Sequence, residues 1–322
     1  YIVILREATF IKKSEVLFMK VTKFLMAAAL ISAAAMFVSC SDLSESSESS
    51  SDSSRAASSG TTYSVGTASA LYTAANKVNP GDTIKLTANI NLTKQLQLLR
   101  SGSSGKLITL DGNGKTLNCS AFTGWGVKVN GSYWTIRKLT VTKASDCGMV
   151  FQLGGNNRAE YCKFTYNGDS GLQVYNSAHD VTITRCESYY NYDKATKGEN
   201  ADGFAAKLSG GKNIKFNYCV AKYNSDDGWD LYSQAYPVTL NNCEASYNGY
   251  INSSLQTTPE GDGNGFKLGS KYKNVSHRVL SCKSTYNLKY GIDANGNTAK
   301  QTITNCTVKN NKEGQISSRT KY

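Results

Sequence analysis

Two local patterns of polar and apolar residues mark the start of the folded part of the chain. Residues 68–78 have the periodicity of an amphipathic helix and end at the turn sequence Asn-Pro-Gly-Asp at 79–82. Residues 83–86 then alternate between polar and apolar side chains, as a strand with one buried face does. The later chain is rich in Gly, Asn, Thr and Ser, which favour short strands and tight turns over helices. We therefore expect an all-β domain with one short helix that caps its open end.

A repeat in fixed phase runs through the rest of the chain. Six cysteines are each followed five residues later by an asparagine. The pairs are Cys162 and Asn167, Cys186 and Asn191, Cys219 and Asn224, Cys243 and Asn248, Cys282 and Asn287, and Cys306 and Asn311. Successive cysteines lie 24, 33, 24, 39 and 24 residues apart, so the base period is 24 with two insertions. A glycine followed by a large apolar residue recurs in the same phase, at Gly171, Gly203, Gly228, Gly265 and Gly291.

A parallel β-helix explains this repeat. Each coil of such a solenoid rises by one strand spacing, ~4.8 Å, so equivalent residues stack in columns. Stacked asparagines hydrogen-bond one another and the turn backbone. Stacked cysteines form a buried ladder, which we interpret as free thiols rather than disulfides. We expect a single right-handed solenoid domain over residues 61–322, because parallel crossovers are right-handed.

The N-terminal segment resembles an export signal. Residues 19–40 place Lys20 and Lys23 before an apolar run that ends in Val-Ser-Cys at 38–40. With Cys40 at the cleavage point, the segment resembles a bacterial lipoprotein signal, so we expect a lipidated Cys40 and attachment to the outer membrane or cell surface. The alternative is an ordinary export signal, which would leave the protein secreted or periplasmic. Residues 1–18 are interpreted as an upstream extension, and the Ser-rich residues 41–60 as a flexible linker.

The charge of the chain indicates an anionic partner. Its 36 Lys and Arg exceed its 24 Asp and Glu by 12, and residues 1–60 hold six of each sign, so the excess lies in the later domain. A basic domain suits nucleic acid, anionic lipid or an acidic polysaccharide, and charge alone does not choose among them.

Acidic side chains concentrate next to the repeated glycines. Asp202 and Asp227 each precede one of these glycines and are expected to stack on adjacent coils, with Asp226 and Asp230 beside them. Four close carboxylates repel one another and require a cation or raised pKa values. Because the predicted ligands are all oxygen, with no nearby His or Cys, a hard cation such as calcium is expected.

Lys267 occupies the position of Asp230 one coil later. A lysine beside a bound cation has its charged form disfavoured and its pKa lowered, which suits a general base. The spacing from the repeated Asn to the next Gly also grows here, from four residues in plain coils to twelve at 191–203 and seventeen at 248–265. Insertions into a repeat usually mark the binding face, so we expect these two turns to wall a groove.

These motifs resemble family 9 of the polysaccharide lyases, the calcium-dependent pectate lyases built on a right-handed parallel β-helix. The resemblance covers roughly residues 61–322 and rests on the coil landmarks and three motifs. The motifs are Asn-Ala-Asp-Gly-Phe at 200–204, Ser-Asp-Asp-Gly-Trp-Asp at 225–230 and Gly-Phe-Lys-Leu-Gly at 265–269. The resemblance implies Asp202, Asp226, Asp227 and Asp230 as calcium ligands, and Lys267 as the catalytic base.

The activity implied by this resemblance is β-elimination on α-1,4-linked galacturonan. The expected partner is therefore an acidic polysaccharide and not nucleic acid. The protein is expected to be a monomer that contacts a membrane only through the lipid on Cys40. Two alternatives remain open: a polygalacturonase-type glycoside hydrolase that uses paired carboxylates, and a non-catalytic β-helix adhesin or carbohydrate-binding protein. The hydrolase family carries Gly-His-Gly and Arg-Ile-Lys motifs, whereas neither His179 nor His277 lies between glycines here.

Overall fold

The structure, a computed structural model, describes residues 60–257 and 260–322. The predicted export signal, the lipidated Cys40 and almost all of the predicted linker lie outside the described residues. Within the described part the chain forms one helix, α1 (Ala68–Lys77), and 28 strands. No helix in this part is long and apolar enough to cross a membrane.

The strands are short and follow one another closely. The first ten are β1 (Thr62–Val65), β2 (Thr83–Leu86), β3 (Ile90–Asn91), β4 (Leu96–Leu98), β5 (Ile108–Asp111), β6 (Thr116–Asn118), β7 (Val127–Val129), β8 (Trp134–Arg137), β9 (Thr140–Thr142) and β10 (Met149–Gln152). The next nine are β11 (Gly155–Glu160), β12 (Lys163–Thr165), β13 (Leu172–Tyr175), β14 (His179–Thr184), β15 (Glu187–Tyr189), β16 (Phe204–Ala206), β17 (Ile214–Asn217), β18 (Val220–Lys222) and β19 (Trp229–Asp230). The last nine are β20 (Val238–Asn241), β21 (Glu244–Ser246), β22 (Phe266–Lys267), β23 (Arg278–Leu280), β24 (Lys283–Thr285), β25 (Tyr290–Asp293), β26 (Thr302–Thr304), β27 (Thr307–Lys309) and β28 (Gly314–Ile316).

Three parallel sheets wrap these strands into a solenoid. Sheet A has the order β1-β2-β5-β8-β11-β14-β17-β20-β23-β26, sheet B runs from β3 to β27, and sheet C runs from β4 to β28. From β2 onward the chain visits sheets A, B and C in turn, and each strand pairs in parallel with its equivalents in the neighbouring coils. The predicted right-handed parallel β-helix is confirmed.

The short helix covers the first coils, as the sequence predicts. Thr67 caps its N-terminus, with its side chain accepting a hydrogen bond from Ala70 N at 3.3 Å. The helix buries Leu71, Ala74 and Ala75 and packs against β1, β2 and β4. It therefore shields apolar residues at the beginning of the stack from water.

Columns of like residues hold the coils in register. In the asparagine column, Asn191 Nδ2 donates to Asn224 Oδ1 at 2.8 Å and Asn224 Nδ2 donates to Asn248 Oδ1 at 3.0 Å. The cysteines stack as free thiols, as expected, and all but the last of the six, Cys306, are buried. Under sheet C, Phe204, Trp229 and Phe266 stack inside the core with ring centroids 5.0 and 5.1 Å apart.

The turn from sheet B to sheet C has a distinctive backbone. Five tyrosines immediately before the column asparagines adopt positive φ angles between 54° and 60°, namely Tyr166, Tyr190, Tyr223, Tyr247 and Tyr286. Their rings stack on the outside of the coil, with centroids 5.1 to 5.4 Å apart. This turn directs each chain segment into the glycine that begins the next strand of sheet C.

Candidate functional site

The predicted site residues lie where the turns from sheet B enter sheet C. Asp202 ends the first long turn just before β16, and Asp226 and Asp227 precede β19. Ala205, Asp230 and Lys267 pair in register on adjacent strands, so their side chains project from the same face. We call this the outer face of sheet C, because the alternate residues Phe204, Trp229 and Phe266 point into the core.

Glycine allows the coils to approach closely beside these carboxylates. A Cβ atom on Gly203 would lie 2.8 Å from Gly228 O and 2.9 Å from Asn224 Nδ2. A Cβ on Gly228 would lie 2.6 Å from Gly265 O. Real side chains do not tolerate such contacts, so the glycine between each acidic residue and its strand is required by packing.

Three of the four predicted carboxylates form one buried cluster. Asp202, Asp226 and Asp227 each contribute an oxygen, and these oxygens all lie within 4.8 Å of one another. Their exposed fractions are 0%, 2% and 0%. We call these three residues the acidic cluster.

The two long turns supply the backbone donors that hold the cluster. Asp226 accepts hydrogen bonds from Asn200 N at 2.9 Å in the first turn and from Asp262 N at 2.6 Å in the second. Asp227 Oδ1 accepts from Asn264 N at 2.7 Å and Asn264 Nδ2 at 2.9 Å. Both insertions therefore build the site, and Glu260 N also joins them by donating to Lys197 O at 3.3 Å.

Asp230, the fourth predicted carboxylate, lies against a basic side chain. Its Oδ1 accepts from Tyr232 N at 2.9 Å, and its Oδ2 lies 3.4 Å from Lys207 Nζ. Lys207 Nζ also donates to Asp202 Oδ2 at 2.8 Å. The ammonium of Lys207 thus lies between Asp230 and the acidic cluster.

Lys207 is a basic residue of the site that the sequence analysis did not identify. Two other basic residues lie elsewhere: Arg185 lies between the rings of Tyr161 and Tyr218, and Arg278 is an exposed residue of β23 in sheet A. Strand alternation could have identified Lys207 from the sequence. Residues 205 and 207 share a face of the sheet, and residue 205 pairs with Asp230, so Lys207 is expected next to Asp230.

Lys267 lies against the other side of the acidic cluster. Its Nζ is 3.1 Å from Asp227 Oδ2 and 3.1 Å from Asp262 Oδ2, and the residue is only 8% exposed. Asp262 also accepts a hydrogen bond from Lys289. Sequence reasoning missed Asp262 because it belongs to an irregular insertion that has no equivalent position in other coils.

Burial and mutual repulsion control the ionisation of these groups. Burial raises the pKa of Asp202 and Asp227 well above the usual range and also raises the pKa of Asp226. Burial alone would lower the pKa of Lys207 and Lys267, but the surrounding carboxylates hold both well above the usual lysine value. The lowered pKa expected for Lys267 presupposes a cation beside its amine. The carboxylates around it act in the opposite sense and raise its pKa.

The donor set of the acidic cluster fits a hard divalent cation. All three side chains offer carboxylate oxygens, which calcium prefers. Asp227 Oδ2 is fully buried and receives no hydrogen bond, although Lys267 Nζ lies near it. The ammonium 3.1 Å away compensates the charge of this buried oxygen, and a divalent cation offers the same compensation.

Comparison with known proteins identifies related chains. The family model of the Pel9A-like right-handed β-helix region matches residues 50–321. Pectate lyase L of Paenibacillus polymyxa is 35% identical over 254 residues, which are 72% of this chain and 56% of that protein. Pectate lyase L of Dickeya chrysanthemi is 35% identical over 183 residues, 57% of this chain and 43% of that protein. The chain therefore spans about half the length of these relatives.

Solved structures share the same architecture. The crystal structure of pectate lyase Pel9A superposes with a TM-score of 0.66 and 29% identity, over 77% of this chain and 67% of that one. A rhamnogalacturonan lyase superposes with a TM-score of 0.65 at 22% identity, over 76% of this chain and 73% of that one. The second likeness concerns the fold alone.

Proposed function

Because the chain belongs to the Pel9A-like right-handed β-helix family of polysaccharide lyases, we propose that it is a pectate lyase that cleaves polygalacturonate by β-elimination. The observation that carries the proposal is the placement of Lys267. Its amine lies 3.1 Å from a buried carboxylate of the acidic cluster, on a face lined by two long turns. The function of a non-catalytic adhesin does not require a lysine packed against three buried carboxylates.

Calcium is the cofactor that we propose, held by Asp202, Asp226 and Asp227. The support is the donor set itself, three buried carboxylates whose oxygens lie within 4.8 Å of one another. Asp230 is proposed as a fourth ligand from its sequence motif, and its Oδ2 lies 3.4 Å from Lys207 Nζ. When bound, the cation neutralises carboxylate charge, including that of a uronate, and acidifies the proton α to the uronate carboxylate.

Lys267 is the base in this proposal. The surrounding carboxylates raise its pKa, so neutralising their charge restores its capacity to act as a neutral amine. Nζ takes the proton from C5 of the sugar, and that electron pair forms the C4–C5 double bond. The C4–O bond breaks, its electrons leave with the oxygen, and that oxygen gains a proton from water.

The positions of the two histidines favour the lyase over the hydrolase. His179 lies in β14 of sheet A, where its Nδ1 is 2.6 Å from Asp180 Oδ2. His277 is fully buried, and its Nδ1 accepts from Val238 N at 3.2 Å. Neither histidine lies at the acidic cluster on sheet C.

Export remains a separate proposal. The order of basic, apolar and small residues over 19–40 supports a lipoprotein signal with Cys40 as the anchor of a monomeric surface enzyme. Replacing Cys40 by Ser is expected to move the protein from the membrane fraction to the soluble exported fraction. Equal membrane association of both forms would contradict the anchor.

Chelation of calcium during digestion of polygalacturonate tests the function directly. The lyase is expected to form a product that absorbs in the near ultraviolet, and to lose this activity when a chelator is added and regain it with calcium. A hydrolase would instead release reducing ends without absorbance, and an adhesin would leave the polymer intact. Either of those results would overturn the proposal.

A further inference from the structure

The residues of the acidic site belong to columns that continue along the outer face of sheet C. Asp202 and Asp227 each lie one residue before a strand-entry glycine. Asp230 and Lys267 lie two residues after it, and Lys207 lies four residues after Gly203. Because the coils stack in register, the same three columns can be followed toward the beginning of the solenoid.

These columns hold an aromatic pair and a lysine in earlier coils. Trp125 precedes Gly126 and occupies the column of Asp202, and Lys128 of β7 occupies the column of Asp230 and Lys267. The lysine column runs through Val150, Gln173 and Ala205 in successive strand pairs. Tyr175 follows Val174, which pairs with Ala206, so Tyr175 occupies the column of Lys207.

Trp125 and Tyr175 form a corner on the outer face. Their ring centroids are 6.1 Å apart with an interplanar angle of 76°, and Lys128 Nζ lies 5.8 Å from the centroid of Trp125. We call these three residues the aromatic corner. They come from β7 and from β13 two coils later, so they flank the coil of β10, whose Val150 on the same face is fully buried.

The aromatic corner does not support the hydrophobic core. Among the described residues, the partly buried aromatic rings that pack against the core include Tyr63, Tyr72 and Phe122, but neither Trp125 nor Tyr175. Both rings remain partly exposed on the face that carries the acidic site. Two partly exposed aromatic rings at a steep angle, with an ammonium beside them, are suited to an amphipathic anionic sugar ring.

The exposed tyrosine stack on the outside of the B-to-C turn offers no such surface. Those rings lie parallel, with interplanar angles of 5° to 16° and centroids 5.1 to 5.4 Å apart, so each internal ring face is covered by the next. The Trp125–Tyr175 pair instead meets at a steep angle, which leaves ring surface open.

We propose that Trp125, Tyr175 and Lys128 form a distal subsite for one uronate residue of a polysaccharide that lies along the outer face of sheet C. The aromatic walls pack against the apolar face of the pyranose, and Lys128 pairs with its carboxylate. This inference rests on the proposed function for its substrate class. Lys128 and Lys267 are separated by five strand spacings, about 24 Å along the solenoid axis. A long oligosaccharide reaches both places, whereas a trisaccharide bound at Lys267 does not.

Direct binding measurements separate this subsite from the cleavage reaction. Calorimetric titrations with trigalacturonate and octagalacturonate, in calcium-containing buffer, use Lys267→Ala as a background that does not consume the ligand. Adding Trp125→Ala is expected to weaken octamer binding about three- to ten-fold, the size of a single aromatic contact, and to leave trimer binding unchanged. Tyr218→Ala is the control, because Tyr218 is an exposed aromatic beside a cationic side chain elsewhere on the solenoid.

Lys128→Gln provides a second test that does not depend on removing a large ring. It is expected to weaken octamer binding and to reduce its dependence on salt. Unchanged octamer binding in both variants, or equal loss for trimer and octamer, would overturn the subsite. If the unaltered protein forms no unsaturated product, the lyase proposal fails, while the length-dependent binding comparison still decides the subsite.

Discussion

Removing the ammonium of Lys207 tests how the acidic cluster is neutralised. Lys207 Nζ lies 2.8 Å from Asp202 Oδ2 and 3.4 Å from Asp230 Oδ2, and its side chain is only 9% exposed. A Lys207→Met variant keeps most of the side-chain volume and removes the charge. Asp202 and Asp230 then remain buried without this partner.

The loss of unfolding free energy expected for Lys207→Met follows from the burial of these carboxylates. Breaking a buried ion pair from one side costs about 3–5 kcal/mol, because the remaining charge is left without compensation. We expect Lys207→Met to lose about 3 kcal/mol of unfolding free energy at neutral pH in the presence of a chelator. This value is at the lower end of the range, because these carboxylates can take up a proton when their partner is removed. Since burial raises the pKa of Asp202, the loss should shrink as the pH falls and this carboxyl becomes protonated.

Urea denaturation with and without calcium measures this effect. A cation on the carboxylates replaces the missing charge, so calcium is expected to stabilise the variant more than the unaltered protein. Lys215→Met, at an exposed position on sheet A, is the matched control and should change stability little. Equal stability of Lys207→Met and the unaltered chain in chelator would refute the reasoning, as would equal stabilisation of both by calcium.

Two further predictions concern the solenoid itself. Asn224→Ala removes the acceptor for Asn191 N and the donor to Asn248 Oδ1 inside the stack, so we expect a loss of about 2–4 kcal/mol in urea denaturation, against almost none for Lys215→Ala at an exposed position of β17. A loss of less than 0.5 kcal/mol, the usual scale of a surface change, would show that the asparagine column contributes little. Burial lowers the pKa of His277 from 6.5 to about 4, so the unfolded chain binds the extra proton and stability falls as the pH drops below about 6.5. The loss approaches about 3 kcal/mol near pH 4, and His277→Asn should flatten this part of the stability profile.

Residues in the repeat could be placed from the sequence, whereas residues in the insertions could not. The Cys and Asn positions fixed the phase of each coil, and that phase correctly put Asp202 near Asp227, because stacked coils admit only one register. Asp262 has no counterpart in other coils, so only the folded turn reveals that it lies 3.1 Å from Lys267.

The partner of Asp230 does not follow from its motif alone. Asp230 shares a motif with Asp226 and Asp227, yet it faces Lys207, because strand alternation places residues 205 and 207 on its face. The functional roles of the four aspartates and of Lys267 stay predictions.

The proposed role of Lys267 is tested most directly by its replacement with Ala. The account predicts that Lys267→Ala forms no near-ultraviolet-absorbing product from polygalacturonate, while calorimetry still detects calcium binding at the acidic cluster. The Lys215→Ala control should retain full activity, because that side chain is exposed on sheet A. Product formation by Lys267→Ala at the rate of the unaltered protein would contradict the central claim.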